Sequence, residues 1–341
     1  MDKRILIVLA AFLVLGCIQQ TSEETKLEEF EGLGILQFGM PTRPGMPTVE
    51  VEKVTPNSSA YLSLILRNNA EGSIARNIVV SLDNVEPFMI VECGEVCEPT
   101  LERRGVPCYS FYDDEGLPYR SHGLEILNPD EEVEFFWVLK SPTKEEIGNM
   151  YYEHEIYATV EYHYHTSIYI GIAAMTFQEY SSRKASGLPL TATKTASAGA
   201  IRVFSNTMEP ITYVQGSTGQ NFVLSFKVIN QGKGIPKPGT KVRITLEYDD
   251  KVVELLGESP MEEAGDAVRT WFEGEYGKPM GKLLYMDLDP INLMLEEGYT
   301  VNIPFNLKEL SPNYQTIPFY VRVSYDYQIE ESTKLGVIPI K

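Results

Sequence analysis

The chain is short of the residues from which reactive and metal-binding centres are usually built. It has four histidines, four cysteines and two tryptophans in 341 residues. No Gly-rich phosphate loop, zinc-protease helix or serine nucleophile elbow occurs. Ser181-Ser182-Arg183-Lys184 satisfies Ser-x-x-Lys, but it stands in a run of small polar residues with no companion motif. These absences predict a protein that is not an enzyme and carries no cofactor. Positive charge is scarce as well: 29 Lys plus Arg face 48 Asp plus Glu, a net charge of −19. Such a surface repels phosphate backbones, which excludes nucleic acid as a partner, and it disfavours electrostatic attraction to anionic lipid. Beyond the N-terminus no run reaches the ~20 apolar residues of a spanning helix. Few windows carry apolar residues at helical spacing.

What is present begins with MDKRILIVLAAFLVLGC. A basic start (Lys3, Arg4) precedes an apolar run from Ile5 to Leu15, which as a helix spans only about 17 Å and therefore reads as a signal-peptide core. Residues 1–16 are expected to be a signal peptide. Residues 17–46, acidic and then rich in Gly and Pro, are expected to be a spacer with no sustained periodicity, though a short strand fits around Leu33 to Phe38.

From Thr48 onward the pattern is β. Runs such as AYLSLILRN, NIVVSL, VEFFWVLK and EIYATVEYHYH are rich in Val, Ile, Tyr and Phe, many alternate, and Asn, Gly, Pro and Asp clusters separate them. After Tyr180 the stretch SSRKASGLPLTATKTASAGA has almost no large apolar residue, as a linker would. Strand-like runs then resume. Two β modules are expected, at 47–180 and 200–341, joined by a linker at 181–199.

The modules align with each other. AYLSLILRNN matches NFVLSFKVIN, pairing Leu62 with Leu224 and Asn68 with Asn230. EEVEFFWVLK matches GYTVNIPFNLK, setting Trp137 against Phe305. IYATVEYHY matches FYVRVSYDY, pairing Tyr162 with Tyr325 and Tyr164 with Tyr327 and placing His163 where Asp326 stands. In a period-two strand the tyrosines then point inward and His163 and His165 point outward to solvent. The His-x-His spacing suits a metal, and His154 would be the third ligand if a hairpin brought it back, but 151–165 has no turn signal and reads as one strand. His163, His165 and His154 are therefore weak metal candidates, and no metal site is expected.

Cys93, Cys97 and Cys108 lie in an insertion that has no cysteine-bearing counterpart in the second module. Outside the cytoplasm one bridge and one leftover thiol are expected; Cys97 with Cys108 closes a loop that could add roughly 2–3 kcal/mol, and a zinc site adding His122 is the alternative. Acidic clusters at Asp113-Asp114-Glu115, Asp130-Glu131-Glu132 and Asp249-Asp250 could hold calcium, although acids in turns are usually solvated. Asn57-Ser58-Ser59 is a glycosylation sequon. Asn68 and Asn230 end strands at turns, where asparagine tolerates positive φ.

Val14-Leu15-Gly16-Cys17 resembles the lipobox of prokaryotic lipoproteins, and GCIQQ is similar to archaeal surface lipoproteins; the resemblance implies lipidation at Cys17 and anchoring to the outer face of the cell membrane. SLILRNNAEGSIARNIVVSLD and FKVINQGKGIPKPGTKVRITLEY resemble the CARDB-type and NEW-type immunoglobulin-like modules of prokaryotic surface proteins. That resemblance implies two tandem immunoglobulin-like β-sandwiches, an all-β fold, and a structural, adhesion or protein-binding role among other cell-envelope proteins. The alternative is a solute- or glycan-binding component, with Trp271, Phe272 and Tyr276 stacking on a ligand from a loop, or an accessory subunit of a surface enzyme.

Overall fold

The computed structural model describes residues 33–39, 52–70, 73–97, 103–104, 109–112, 118–148, 150–217, 219–294, 297–308 and 313–339. The protein is all-β, built almost entirely from antiparallel sheets. In chain order the first half contains β1 (Leu33–Gly39), β2 (Glu52–Val54), β3 (Ser59–Asn68), β4 (Ala75–Asp83) and β5 (Met89–Cys97). It continues with β6 (Arg103–Arg104), β7 (Tyr109–Tyr112), β8 (Pro118–Leu127), β9 (Glu132–Lys140), the short helix α1 (Lys144–Ile147) and β10 (Tyr152–Thr176). Helix α2 (Phe177–Ser186) leads to β11 (Lys194–Ala196), β12 (Ile201–Ser205), β13 (Ile211–Tyr213), β14 (Gln220–Asn230) and β15 (Ile235–Pro236). There follow β16 (Val242–Tyr248), β17 (Val253–Leu255), β18 (Glu262–Glu263), helix α3 (Asp266–Tyr276), β19 (Lys282–Leu288), β20 (Tyr299–Leu307) and β21 (Tyr314–Val337).

The two halves are not beads on a linker. Every residue of β21 has a partner on β10, from Tyr152 against Val337 to Met175 against Tyr314. This ribbon is the spine of one 12-stranded sheet; β4 and β8 extend it on the β10 side, and β16 and β19 on the β21 side. A five-stranded sheet of the first half (β1-β3-β9-β5-β6) and a four-stranded sheet of the second (β12-β14-β20-β17) complete the molecule. One buried cluster runs through all three sheets, from Leu62, Trp137 and Val160 to Leu224, Phe305 and Val323. Along β10 the alternation of buried and half-buried residues is regular from Tyr162 to Ile170, as a strand with one face on a core requires.

The internal duplication is visible in the pairing. The offset that sets Tyr162 against Tyr325 makes His163 the counterpart of Asp326, and the register pairs those two residues with each other. An approximate twofold axis therefore passes between His163 and Asp326. The register corrects one alignment: Leu62 faces Trp137 while its counterpart Leu224 faces Ile303, so Ile303, not Phe305, is the equivalent of Trp137.

Residues 33–39, included in the spacer on composition, form the edge strand β1 against β3. By register Leu33 opposite Asn68 matches Ile201 opposite Asn230, so β1 belongs to the duplicated unit as the counterpart of β12. The stretch 181–199, read as a linker, holds the end of α2 and all of β11. Helix α2 has a Thr176 hydroxyl accepting from the Glu179 N–H (3.2 Å) at its start and Gly187 in the left-handed region (φ 66°) at its end. The strand-ending asparagines work through their side chains instead of positive φ. Buried Asn68 donates through Nδ2 to the carbonyls of Ser73 and Leu127 (2.8 and 3.0 Å), and Asn230 does the same to Gly234 (2.9 Å).

Candidate functional site at the junction of the halves

The ribbon carries different chemistry on its two faces at the twofold axis. On the inner face four tyrosines meet. Tyr162 packs on Tyr164 and Tyr327, and Tyr325 on Tyr164 and Tyr327, with ring centroids 5.6 to 6.1 Å apart. Burial holds the hydroxyls of Tyr162 and Tyr325 protonated far above the ordinary tyrosine range, and that of Tyr164 upward as well. They serve as pins: Tyr325 accepts from the Ile201 N–H (3.2 Å), and its counterpart Tyr162 lies against the Leu33 backbone. Tyr164 donates to the Ser73 carbonyl (3.4 Å), and its counterpart Tyr327 to Asn230 Oδ1 (2.7 Å). Tyr325, Tyr164 and Tyr327 thus each fix a strand start or a turn to the shared sheet.

On the outer face His163 and His165 point away from the tyrosines, as alternation requires, and the face is partly covered. Helix α3 lies across it. Phe272 is buried, with Val268, Trp271 and Tyr276 packed around it. The Arg243 guanidinium sits 4.9 Å from the Trp271 ring centre and binds Asp287 through two hydrogen bonds of 2.8 and 2.9 Å. Arg322 lies 5.0 Å from Phe272 and 4.9 Å from Tyr276 while pairing with buried Glu247. His165 meets Tyr276 edge-on at 5.4 Å. Burial, and then the nearby Arg76, His163 and Arg322 charges, push the His165 pKa down, against the pull of Glu275. The expectation of two solvated imidazoles is corrected for His165, which packs against Tyr276 of a helix that the strand pattern does not announce, whereas the His163 side chain keeps 28% of its surface exposed.

His163 uses both ring nitrogens: Nδ1 is 2.8 Å from Asp326 Oδ1 and Nε2 is 3.2 Å from Ser324 Oγ. The bond from His163 holds the Asp326 carboxyl below the usual carboxylate range. Ser324, His163 and Asp326 have the distances of a nucleophile, base and orienting acid. The place is closed, however. Ser324 is 5% exposed, the Tyr276 hydroxyl bonds it, and its backbone is paired on both sides, with His165 of β10 and Arg243 of β16. The arrangement is a lock on the ribbon. Ser324 and Asp326 were missed as site residues, although the alignment of His163 with Asp326 was the available signal.

The remaining candidates are dispersed. His154 lies on the same continuous strand, so about 30 Å of β10 separates it from His163; its Nε2 is 2.5 Å from the Asn84 carbonyl and its Nδ1 3.1 Å from the Tyr152 hydroxyl. Among the described residues no group of three or more His, Cys, Asp or Glu could hold a metal ion. Cys93 and Cys97 stand four residues apart on β5, against Trp137 and Val133. At about 3.3 Å per residue their Cα atoms are roughly 13 Å apart, too far for a bridge between them. Cys17, Cys108 and the cluster at 113–115 lie outside the described residues. His122 is on β8 of the shared sheet, whereas Cys93 and Cys97 are on the five-stranded sheet. Asp130 and Glu132 pair with Arg67 (3.6 and 3.3 Å), and Asp249 accepts from the Lys251 N–H (2.9 Å). Asn57 is exposed in a turn with φ 57°. Trp271, Phe272 and Tyr276 belong to α3 and are occupied in packing it.

No family model matches the chain, and no curated protein matches it. Among solved structures, the pilus backbone of Streptococcus pneumoniae matches at 8% identity over 85% of this chain and 47% of that one, with a TM-score of 0.24. The C-terminal domain of the AgI/II polypeptide BspA of Streptococcus agalactiae matches at 7% identity over 89% of this chain and 98% of that one, with a TM-score of 0.18. A structure titled as AvmM, which catalyzes macrocyclization in alchivemycin A biosynthesis, matches at 13% identity over 38% of this chain and 73% of that one, with a TM-score of 0.22. The chain spans about half the length of the pilus backbone chain. Likenesses of this size carry no functional argument.

Proposed function

We propose that the protein is a non-catalytic, lipid-anchored module of the cell envelope, held at the outer face of the membrane through Cys17 and acting as a structural, adhesive or protein-binding element. The observation that supports this reading most is the ribbon of β10 and β21. It commits the two longest strands and the four buried tyrosines between them to joining two halves into one sheet. A stiff body on an acidic spacer suits standing off from a membrane and presenting strand edges to neighbours. Two acyl chains would hold such a body despite the charge repulsion of anionic lipid.

The test is fractionation and crosslinking on intact cells. The native chain is expected in the membrane fraction and accessible to an impermeant label, with crosslinks to other envelope proteins. Cys17→Ser is expected to move it out of the membrane fraction. Retention of that variant in the membrane, or crosslinks confined to a transporter, would count against the proposal.

A further inference from the structure

Between β11 and β12 the chain encloses a cavity of about 430 Å³, lined by apolar Ile168, Val203 and Phe204 and by polar Lys194, Arg202 and Ser205. A space of that size holds one small molecule. Its charged wall is built from buried parts. Glu209, with 2% of its side chain exposed, accepts from the Ala173 and Ala192 N–H groups through Oε2, at 3.0 Å each, and its Oε1 lies 2.7 Å from Lys194 Nζ. The carboxylate thus fixes the Lys194 ammonium in place and takes one of its three donors. Arg202 brings a second cation to the cavity. Two cations against one carboxylate leave a single net positive charge, in a chain whose net charge is −19.

The strand β12 adds polar groups with fixed directions. Ile201 donates its N–H to the Tyr325 hydroxyl (3.2 Å) and accepts from the Thr166 hydroxyl at its C=O (2.8 Å), so its backbone faces away from β14. Val203, two residues on, turns its N–H and C=O the same way, toward the side on which the cavity lies. The Ser205 hydroxyl is buried and has no hydrogen-bond partner among the described residues. The partly exposed ring of Phe204 follows Val203 on the opposite side of the strand.

The duplication supplies a comparison. Arg202, Val203 and Ile168 take the places of Gly34, Ile35 and Glu331 in the other half, and those three line a cavity as well. That one measures about 40 Å³ and is lined by Glu330 and Glu331. A requirement of the fold would be met alike in both copies, whereas here the copies differ in volume and in the sign of the charge. The chemistry narrows the occupant. One net positive charge matches a monoanion better than a phosphate dianion. An amino acid would need a carboxylate for its ammonium, and Glu209 is committed to Lys194. A fatty acid would leave the Ser205 hydroxyl and the Val203 backbone unpaired. We infer that this cavity binds a uronic-acid residue of an acidic glycan, with its carboxylate taken by Lys194 and Arg202, its ring against Phe204 and its hydroxyls on Ser205 and the Val203 backbone. The site stands whether or not the chain is tethered through Cys17.

The test is a residue-resolved amide NMR titration of the full chain carrying Cys17→Ser with D-glucuronate, D-glucose and acetate. Saturable shifts of the Val203 and Ser205 amides are expected with glucuronate, and glucose and acetate, which lack the charged or the hydroxyl contacts, are each expected to bind about tenfold more weakly. Arg202→Gln is expected to weaken glucuronate about tenfold while leaving glucose binding and the thermal melt unchanged. The absence of saturable shifts, glucose binding as tightly as glucuronate, or unchanged glucuronate affinity in Arg202→Gln would each overturn the inference. So would acetate binding as tightly, which would report an anion site only, or tetraglutamate shifting the same amides at lower concentration than glucuronate, which would make the cavity a peptide groove.

Discussion

At the scale of single residues, position relative to the twofold axis decides what each side chain can do. A symmetric pair of identical groups would meet at the axis; divergence to His163 and Asp326 turned that meeting into a 2.8 Å hydrogen bond. One pleat further on, His165 is covered by α3 and faces Arg76 from β4, Arg322 from β21, and Glu275 and Tyr276 from the helix, with His163 beside it on β10. Its folded pKa lies below the ordinary 6.5, so below that pH the unfolded chain binds more protons than the folded one. Stability is therefore whole at neutral pH and is lost as pH falls from 6.5 through the folded value. The Asp326 contribution, with a pKa lowered from 3.8, is lost only at far lower pH. Thermal melts are expected to fall by a few degrees between pH 7.5 and 5.0 in the parent chain and by less in His165→Gln. An equal fall in both would show that His165 is not the group responsible.

At the scale of elements, α3 and the tyrosine pins carry the cleanest tests. Phe272 is the one fully buried side chain of the helix, and Phe272→Ala is expected to cost about 3–5 kcal/mol if the helix stays docked, less if it detaches. Detachment would appear as new exposure of Trp271 in fluorescence. Tyr325→Phe removes the acceptor for the Ile201 N–H while keeping the ring, and is expected to cost about 0.5–1.5 kcal/mol by denaturant titration, with faster exchange at Ile201. The helix was legible in principle: Val268, Trp271, Phe272 and Tyr276 recur at helical spacing after Asp266. One short amphipathic window among many strands is outweighed by the β pattern on either side of it.

At the scale of the whole molecule, a shared sheet changes how the chain unfolds. Two sandwiches on a flexible linker would melt separately; two halves that share β10 and β21 and one buried cluster should melt together. Calorimetry is expected to show a single transition. Phe226→Ala in the second half is expected to lower that transition as a unit, by roughly 3–5 kcal/mol of stability, without leaving a native-like first half. Two resolved transitions, only one of them moved by the substitution, would contradict it.

Alternation, turn residues and the internal repeat were enough to read an all-β chain, its duplication and the inward face of Tyr162, Tyr164, Tyr325 and Tyr327, because burial with period two is written locally in each strand. The sequence also contained, unread, the pairing at the axis, since aligning His163 with Asp326 names both partners. It could not say that copies of one strand would pair with each other, which depends on where two segments 163 residues apart meet. Only the tertiary structure decided that the linker is part of the sheet, that His165 packs against a helix, and that Cys93 and Cys97 stand too far apart to bridge. Each of these turns on contacts between distant segments, for which no local pattern in the chain is required.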